Sequence, residues 1–402
     1  MTKPVVIVGA GEAGGQTAIS LRQGGYDGPI TVIGEEPYIP YERPALSKQF
    51  LAGDLEMDRL YLRAENFYDE RDITLRLGER VDSISPGRSV SISDGDVILA
   101  RSIVLATGGR VRQLPVSGAE LRGVHYLRTI DDVLSFRDML KPNTKLAIVG
   151  GGYIGLEVAA VANKIGCAVT VLEMTARVLN RVAAPVVSEF YTRVHREAGV
   201  DIRTDVTVSG FEGDESVKQV TCSDGSKFDA DVVIIGIGII PNVELADAAG
   251  LAVENGITVD SMTQTSARNV YAVGDCTNHP NDLIDCRLRL ESVQNALSQG
   301  KTAAKAILGK AAPYAEIPWF WSDQYDIKLQ MVGINDPGDD IIVRGDPETR
   351  SFSVCYMRDG VLVALNAMNR SKDFLHAKKA IAAKMAPDPV QLADPETPIK
   401  DL

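Results

Sequence analysis

Cysteine is sparse and scattered. Cys167, Cys222, Cys276, Cys286 and Cys355 are the only 5 in 402 residues, and none forms a CxxC pair. That spacing excludes a disulfide scaffold and a thiolate zinc site, so no metal is expected. No cysteine precedes Cys167, so the N-terminal part holds no redox-active thiol pair. Long apolar runs are also missing. VVIIGIGII at 232–240 falls far short of the roughly 20 residues that a membrane span needs. The opening MTKPVVIVGAG runs into a strand without a signal-peptide pattern. Positive charge is in deficit, with a net charge of −12, which argues against a nucleic-acid backbone or an anionic membrane as partner. A reducing, cytoplasmic compartment is the expectation. Tryptophan occurs only twice, at Trp319 and Trp321.

What is present is glycine in a pattern. VVIVGAGEAGG at 5–15 is a β-branched run entering Gly9, Gly11 and Gly14, followed by a helical pattern. Strand, GxGxxG and helix in that order form a dinucleotide-binding fingerprint. The first glycine turns the chain, the second lets backbone N–H groups approach a pyrophosphate, and the third lets helix and strand pack closely. A second strand, ITVIGEE, ends in Glu35, placed to accept hydrogen bonds from a ribose diol.

The same arrangement returns at 146–161 in LAIVGGGYIGLEVAAV, with Gly150, Gly152 and Gly155, and Tyr153 and Ile154 opening its helix. AVTVLE then ends in Glu173. Each unit closes on a return strand ending in small residues: Ala106, Thr107 and Gly108 in SIVLATGG, and Gly238 in DVVIIGIG. Two such units imply two dinucleotides, most simply a flavin and a nicotinamide that exchange a hydride.

The fold class expected is α/β, with two Rossmann-like domains and a C-terminal α+β domain. VYAVGDC at 270–276 reads as a strand that resumes the first domain. The FAD domain is therefore drawn over 1–108 and 240–315, the NAD domain over 109–239, and the α+β domain over 316–402. The proline-rich, acidic end of that last domain, APDPVQLADPETPIKDL, is expected to fray.

VGAGEAG, YERPALSK, LATGG, YLRTIDD, VGGGYIGLE, YAVGDC, RLESVQNA and PWFWSDQY occur in that order. As a set they resemble the FAD-dependent ferredoxin reductases of bacterial oxygenase systems, the putidaredoxin-reductase and biphenyl-dioxygenase type of the glutathione-reductase-like superfamily. The resemblance covers the chain up to its last segment. It implies FAD contacts from Ala13, Glu35, Arg43, Lys48, Arg128, Gly274, Asp275, Val293 and the backbone of Val81. It implies that Lys48 faces Glu157 beside the flavin, and that Trp321 forms a wall of the site, with Trp319 nearer the rim. Hydride transfer needs no protein acid or base, so Lys48 and Glu157 are expected to position and tune.

Glu173 suits the free 2′-hydroxyl of NAD and favours NADH, although Arg177 and Arg181 follow close behind. Without a cysteine pair the electrons are expected to leave one at a time to a [2Fe–2S] ferredoxin feeding a Rieske-type or P450 oxygenase, as in aromatic or terpenoid catabolism. Such a partner is usually acidic, so docking requires local positive charge. Arg287, Arg289, Lys301 and Lys305 offer it in one stretch, and Arg370, Lys372 and Lys378 in another. A rubredoxin reductase on the same scaffold, or an NADH-binding redox sensor of the apoptosis-inducing-factor type, stays open. So does the choice between a monomer and a weak homodimer.

Overall fold

A computed structural model describes residues 3–86, 88–310 and 312–402. The chain divides into two compact units. The first contains 1–43, 56–110 and 239–318, and the second contains 44–55, 111–238 and 319–402. Residues 44–55, which the sequence reading placed with the FAD domain, thus belong to the second unit.

The first unit is built on a parallel sheet in the order Val270–Ala272, Ser102–Leu105, Val5–Val8, Ile30–Gly34, Ile73–Leu77. Alternation along Val5–Val8 sends Val5 and Ile7 to one core, and Val6 and Val8 to another. Both faces are therefore covered, which is why the strand reads as an unbroken apolar run. Each such side chain contributes roughly 1.5–3 kcal/mol through burial. Helix Glu12–Gln23 packs on the first core against helix Val293–Ile307. A Cβ on Gly300 would lie 2.9 Å from the Ala13 carbonyl oxygen, so that contact depends on glycine. An antiparallel sheet of Val81–Ser85, Ser89–Ile92 and Val97–Leu99 contributes to the second core.

The second unit repeats the plan with the order Asp201–Arg203, Ala168–Leu172, Lys145–Val149, Val232–Ile235, Val124–Tyr126, again all parallel. It also carries an antiparallel sheet in the order Trp319–Gln324, Ile327–Gly333, Val361–Met368, Phe352–Arg358, Asp340–Arg344. Helix Ser371–Ala382 packs on this sheet. Helix Pro185–Glu197 meets it through Phe190, whose ring centroid is 5.0 Å from that of Phe352. The architecture is α/β, with two Rossmann-like sheets and a C-terminal α+β layer.

The expected fraying of the last segment is corrected by the structure. Leu392 and Ile399 are fully buried. Arg344, itself buried, donates to the carbonyl oxygens of Leu392 (3.0 Å), Asp394, Pro395 (3.3 Å) and Thr397 (2.6 Å). Asp373 balances its charge at 3.1 Å. The sequence pattern misled because proline and acidic residues dominate the composition, whereas this segment is held by its carbonyl oxygens and by two buried apolar side chains.

Candidate functional site

Each glycine loop is braced by its own unit. In the first, the Gly9 N–H donates to the Ile33 carbonyl (2.7 Å), and Gly9 has φ +114°. A Cβ on Gly9 would lie 2.1 Å from the Ala106 oxygen, and one on Gly14 would lie 2.0 Å from the Gly9 oxygen. Both glycines are therefore required by the protein itself. Gly11 differs: its φ is −81°, and a Cβ there would meet nothing within 4 Å. The second loop matches. Gly150 (φ +107°) and Gly155 would place a Cβ 2.5 Å from the Gly236 oxygen and 2.2 Å from the Gly150 oxygen, while Gly152 again meets nothing. The middle glycine of each loop clears a space above a helix N-terminus that no protein atom fills, as a pyrophosphate requires.

The acids beyond the loops are held differently. Glu35 is exposed and lies 3.2 Å from Arg80. Its neighbour Glu36, which the sequence reading passed over, accepts from Tyr41 Oη (2.6 Å) and from Arg43 Nη2 (2.5 Å). Glu173 turns back onto its own loop, accepting from the Gly151 N–H (2.7 Å), the Thr175 N–H (2.8 Å) and the Thr175 hydroxyl (2.7 Å). Arg177 donates to the Ala183 oxygen and to the Ser188 hydroxyl, both at 2.7 Å. Arg181 stays exposed, with Nη2 3.8 Å from the position of a Cβ on Gly238.

Other predicted residues of the first unit gather at its strand ends. Ala106, Thr107 and Gly108 follow Ser102–Leu105, and Asn242 was missed as their partner. The Thr107 hydroxyl donates to the Asn242 oxygen (2.6 Å), and the Asn242 amide donates back to the Thr107 oxygen (2.9 Å). Gly274 has φ +83°, and its N–H donates to Gln299 Oε1 at 2.7 Å. Asp275 follows half-buried, and Val293 opens its helix just after the cap residue Ser292. Val81 lies in the second core. Cys276 is fully buried, and its sulfur donates to the carbonyls of Val273 and Leu105.

Arg128 belongs to the second unit, one residue before the cap of helix Ile130–Phe136. Thr129 and Asp132 form a capping box there, so much of the YLRTIDD motif encodes a helix start. Lys48 also lies in this unit, where it meets Glu157. The Glu157 carboxylate is 1% exposed. Its Oε2 accepts from Lys48 Nζ (2.7 Å) and Ser47 Oγ (2.6 Å), and its Oε1 from Ser322 Oγ (2.6 Å). A buried charge needs this degree of satisfaction.

Period-two alternation puts Trp319 and Trp321 on the opposite face of their strand from Ser322 and Gln324. Their ring centroids are 5.7 Å apart. Trp319 also meets Phe374 at 5.9 Å, and Lys378 Nζ lies 5.8 Å over its ring. The Tyr153 ring lies tilted against Phe320, with centroids 5.3 Å apart, while Ile154 is exposed.

The charged segments divide under the same scrutiny. Arg287 donates to the Val259 and Asn278 oxygens (both 2.8 Å), Arg289 pairs with Glu291 (2.6 Å), and Arg370 pairs with Asp373 (2.9 Å). These three are engaged within the fold. Lys301, Lys305 and Lys372 are exposed and Lys378 is half-buried. No helix among the described residues is long and apolar enough to cross a membrane, and no group of residues there could hold a metal.

Comparison with known proteins agrees with this geometry. The pyridine nucleotide-disulphide oxidoreductase family model matches residues 3–300, and a reductase C-terminal model matches 319–402. The chain belongs to the pyridine nucleotide-disulphide oxidoreductase family. It is 45% identical over 401 residues to a ferredoxin–NAD(P)+ reductase of Sphingomonas sp., covering 99% of this chain and 97% of that one. It is 45% identical over 405 residues to the putidaredoxin reductase of Pseudomonas putida, covering 99% and 96%. The solved covalent putidaredoxin reductase–putidaredoxin complex superposes with a TM-score of 0.97 at 44% identity, covering 100% of this chain and 98% of that one. The cofactors are FAD and NAD(H), which the space over the two glycine loops fits.

Proposed function

We propose that the chain is an NADH-dependent ferredoxin reductase, delivering electrons to a [2Fe–2S] ferredoxin that serves a Rieske-type or P450 oxygenase. FAD held over the Gly9–Gly14 loop would supply the chemistry that accepts a hydride from NADH and passes its electrons on one at a time. The observation that carries the reading is the pair of loops whose middle glycines, Gly11 and Gly152, are required by nothing in the protein. The first loop takes FAD, with Ala13, Glu35, Arg43, Val81, Gly274, Asp275 and Val293 around it. The second takes NADH, with Glu173 at the ribose. Because Arg177 is engaged elsewhere, only Arg181 of the two arginines is placed to favour a 2′-phosphate.

Lys48 and Glu157 hold the reacting rings in register, while Trp321 excludes water. The name of the family refers to disulphides, but no thiol pair serves this chain. None of its 5 cysteines forms a CxxC pair, and Cys276 is buried. Few and scattered cysteines fit a cytoplasmic location. The ferredoxin docks against local positive charge, with exposed Lys301 and Lys305 as candidates on the first unit, and exposed Lys372 and half-buried Lys378, which lies over the Trp319 ring, as candidates on the second.

Stopped-flow mixing of the FAD-loaded protein with NADH tests this reading. The flavin absorbance should bleach, and an added [2Fe–2S] ferredoxin should then be reduced. Failure of NADH to bleach the flavin would overturn it. Glu157→Gln should slow bleaching and shift the flavin potential. Lys372→Glu should raise the KM for ferredoxin without changing bleaching.

A further inference from the structure

Glu157 is not the end of its hydrogen-bond network. Ser322 Oγ, which donates to Glu157 Oε1, accepts from Gln324 Nε2 at 3.1 Å. Gln324 Oε1 lies 2.8 Å from His195 Nε2, and His195 Nδ1 lies 3.4 Å from the Tyr325 hydroxyl. Ser322, Gln324 and His195 are all buried, and every member belongs to the second unit.

The carboxylate fixes the direction of this chain. An ionised acid only accepts, so Ser322 donates to it. The Ser322 oxygen then receives the Gln324 amide N–H, which turns the Gln324 oxygen toward His195. His195 must donate from Nε2, which leaves Nδ1 to accept from Tyr325. Burial lowers the pKa of His195 while the bond to Gln324 opposes that, and the net direction is down. A neutral imidazole with one N–H, on Nε2, is the form this direction requires. Every donor therefore points toward Glu157, and aligned bonds of this kind polarise one another.

An amide cannot hand a proton onward without becoming an imidic acid, so the chain is an array of dipoles rather than a proton path. The other charged and titratable neighbours do not substitute for it. Lys48 binds the opposite oxygen of Glu157, and Tyr191 has no hydrogen-bond partner for its hydroxyl among the described residues. Lys164, Glu197, Asp326 and Arg350 gather near Tyr325, at the far end.

We propose that Gln324 and His195 are positioning residues for electron transfer, holding Ser322 and through it the Glu157 carboxylate in the orientation that pins Lys48. This rests on the reading of Lys48 and Glu157 as the pair beside the flavin.

The test uses FAD-loaded Gln324→Leu, His195→Leu and His195→Gln, the last of which keeps an N–H near the Nε2 position. Gln324→Leu and His195→Leu should slow NADH-driven flavin bleaching about three- to tenfold at saturating NADH, with the KM for NADH unchanged. Their flavin midpoint potential should become more negative, and Lys48 should react faster with an acylating reagent, read by peptide mass spectrometry. His195→Gln should recover most of the rate. The proposal is overturned if Gln324→Leu binds FAD and keeps the parent rate, potential and Lys48 labelling. Should Gln324→Leu lose FAD, equal behaviour of His195→Leu and His195→Gln overturns it instead. Lys48 labelling needs no NADH, so it reads the network even if NADH proves not to be the reductant.

Discussion

The two glycine loops are built from one motif and differ at the residue after the first glycine. The first loop has Ala10 there, and its neighbouring strand ends in Gly34, where a Cβ would lie 2.5 Å from the Ala10 Cβ. The second loop has Gly151 there, and its strand ends in Leu172. A Cβ on Gly151 would lie 2.8 Å from Val178 and 3.2 Å from Glu173 Oε2. The first loop has a methyl facing a strand residue that has none, and the second has none where a methyl would meet Val178 and Glu173. The consequence reaches the acid: Glu173 folds onto the loop it follows, whereas Glu35 points to solvent beside Arg80. One acid is tied to the backbone of its own loop, and the other is paired with an arginine at the surface.

The largest separation of the two loops should come from their third glycines. Gly14→Val should abolish FAD content, read by absorbance after purification. Gly155→Val should leave FAD bound while NADH no longer bleaches it. Loss of both cofactors from either variant would mean that the loops do not act separately.

Next in size is the acid response. His279 is buried in the first unit, and neither ring nitrogen has a partner among the described residues. Burial, helped by the charge of Arg287, pushes it down to about 4 from the usual 6.5. Its folded value lies below its unfolded one, so its contribution is whole above about pH 6.5 and drains away as pH falls toward 4. The loss should reach roughly 3 kcal/mol. Thermal melts from pH 7 to about pH 4 should show the decline, and His279→Gln should flatten it.

Smaller still is Gly151→Ala, at about 1–3 kcal/mol from overpacking against Val178, with a raised KM for NADH. The reverse exchange, Ala10→Gly, should cost about 1 kcal/mol or less. The smallest effects belong to the acids. Glu173→Gln should narrow the preference for NADH over NADPH severalfold, and Glu35→Gln should weaken FAD retention by less than that, measured by kinetics and by flavin titration.

The glycine loops were legible because turn geometry and close packing leave a residue no choice. Gly9, Gly14, Gly150 and Gly155 each stand where a Cβ would overlap backbone. The strands were legible because burial on both faces leaves an unbroken apolar run. Partnerships far apart in sequence were not legible. Nothing in the order of residues joins Glu157 to Ser322, Gln324 and His195, although Ser47 sits beside Lys48 and alternation places Ser322 opposite the tryptophans. Glu36 was passed over because its neighbour Glu35 occupies the position the motif describes. The arginines at 287, 289 and 370 read as surface charge because a sequence shows sign but not the carbonyls and carboxylates that engage it.

Arg344 grips four carbonyl oxygens of the 386–402 segment and none of its side chains. Such a grip is indifferent to what those residues are and strict about how many there are. Substitutions at exposed positions such as Gln391 and Glu396 should be absorbed readily and those at buried Leu392 and Ile399 should not, while a deletion that shifts Thr397 out of reach would leave a buried guanidinium half-satisfied. An affinity tag for this protein therefore should not replace any part of that segment.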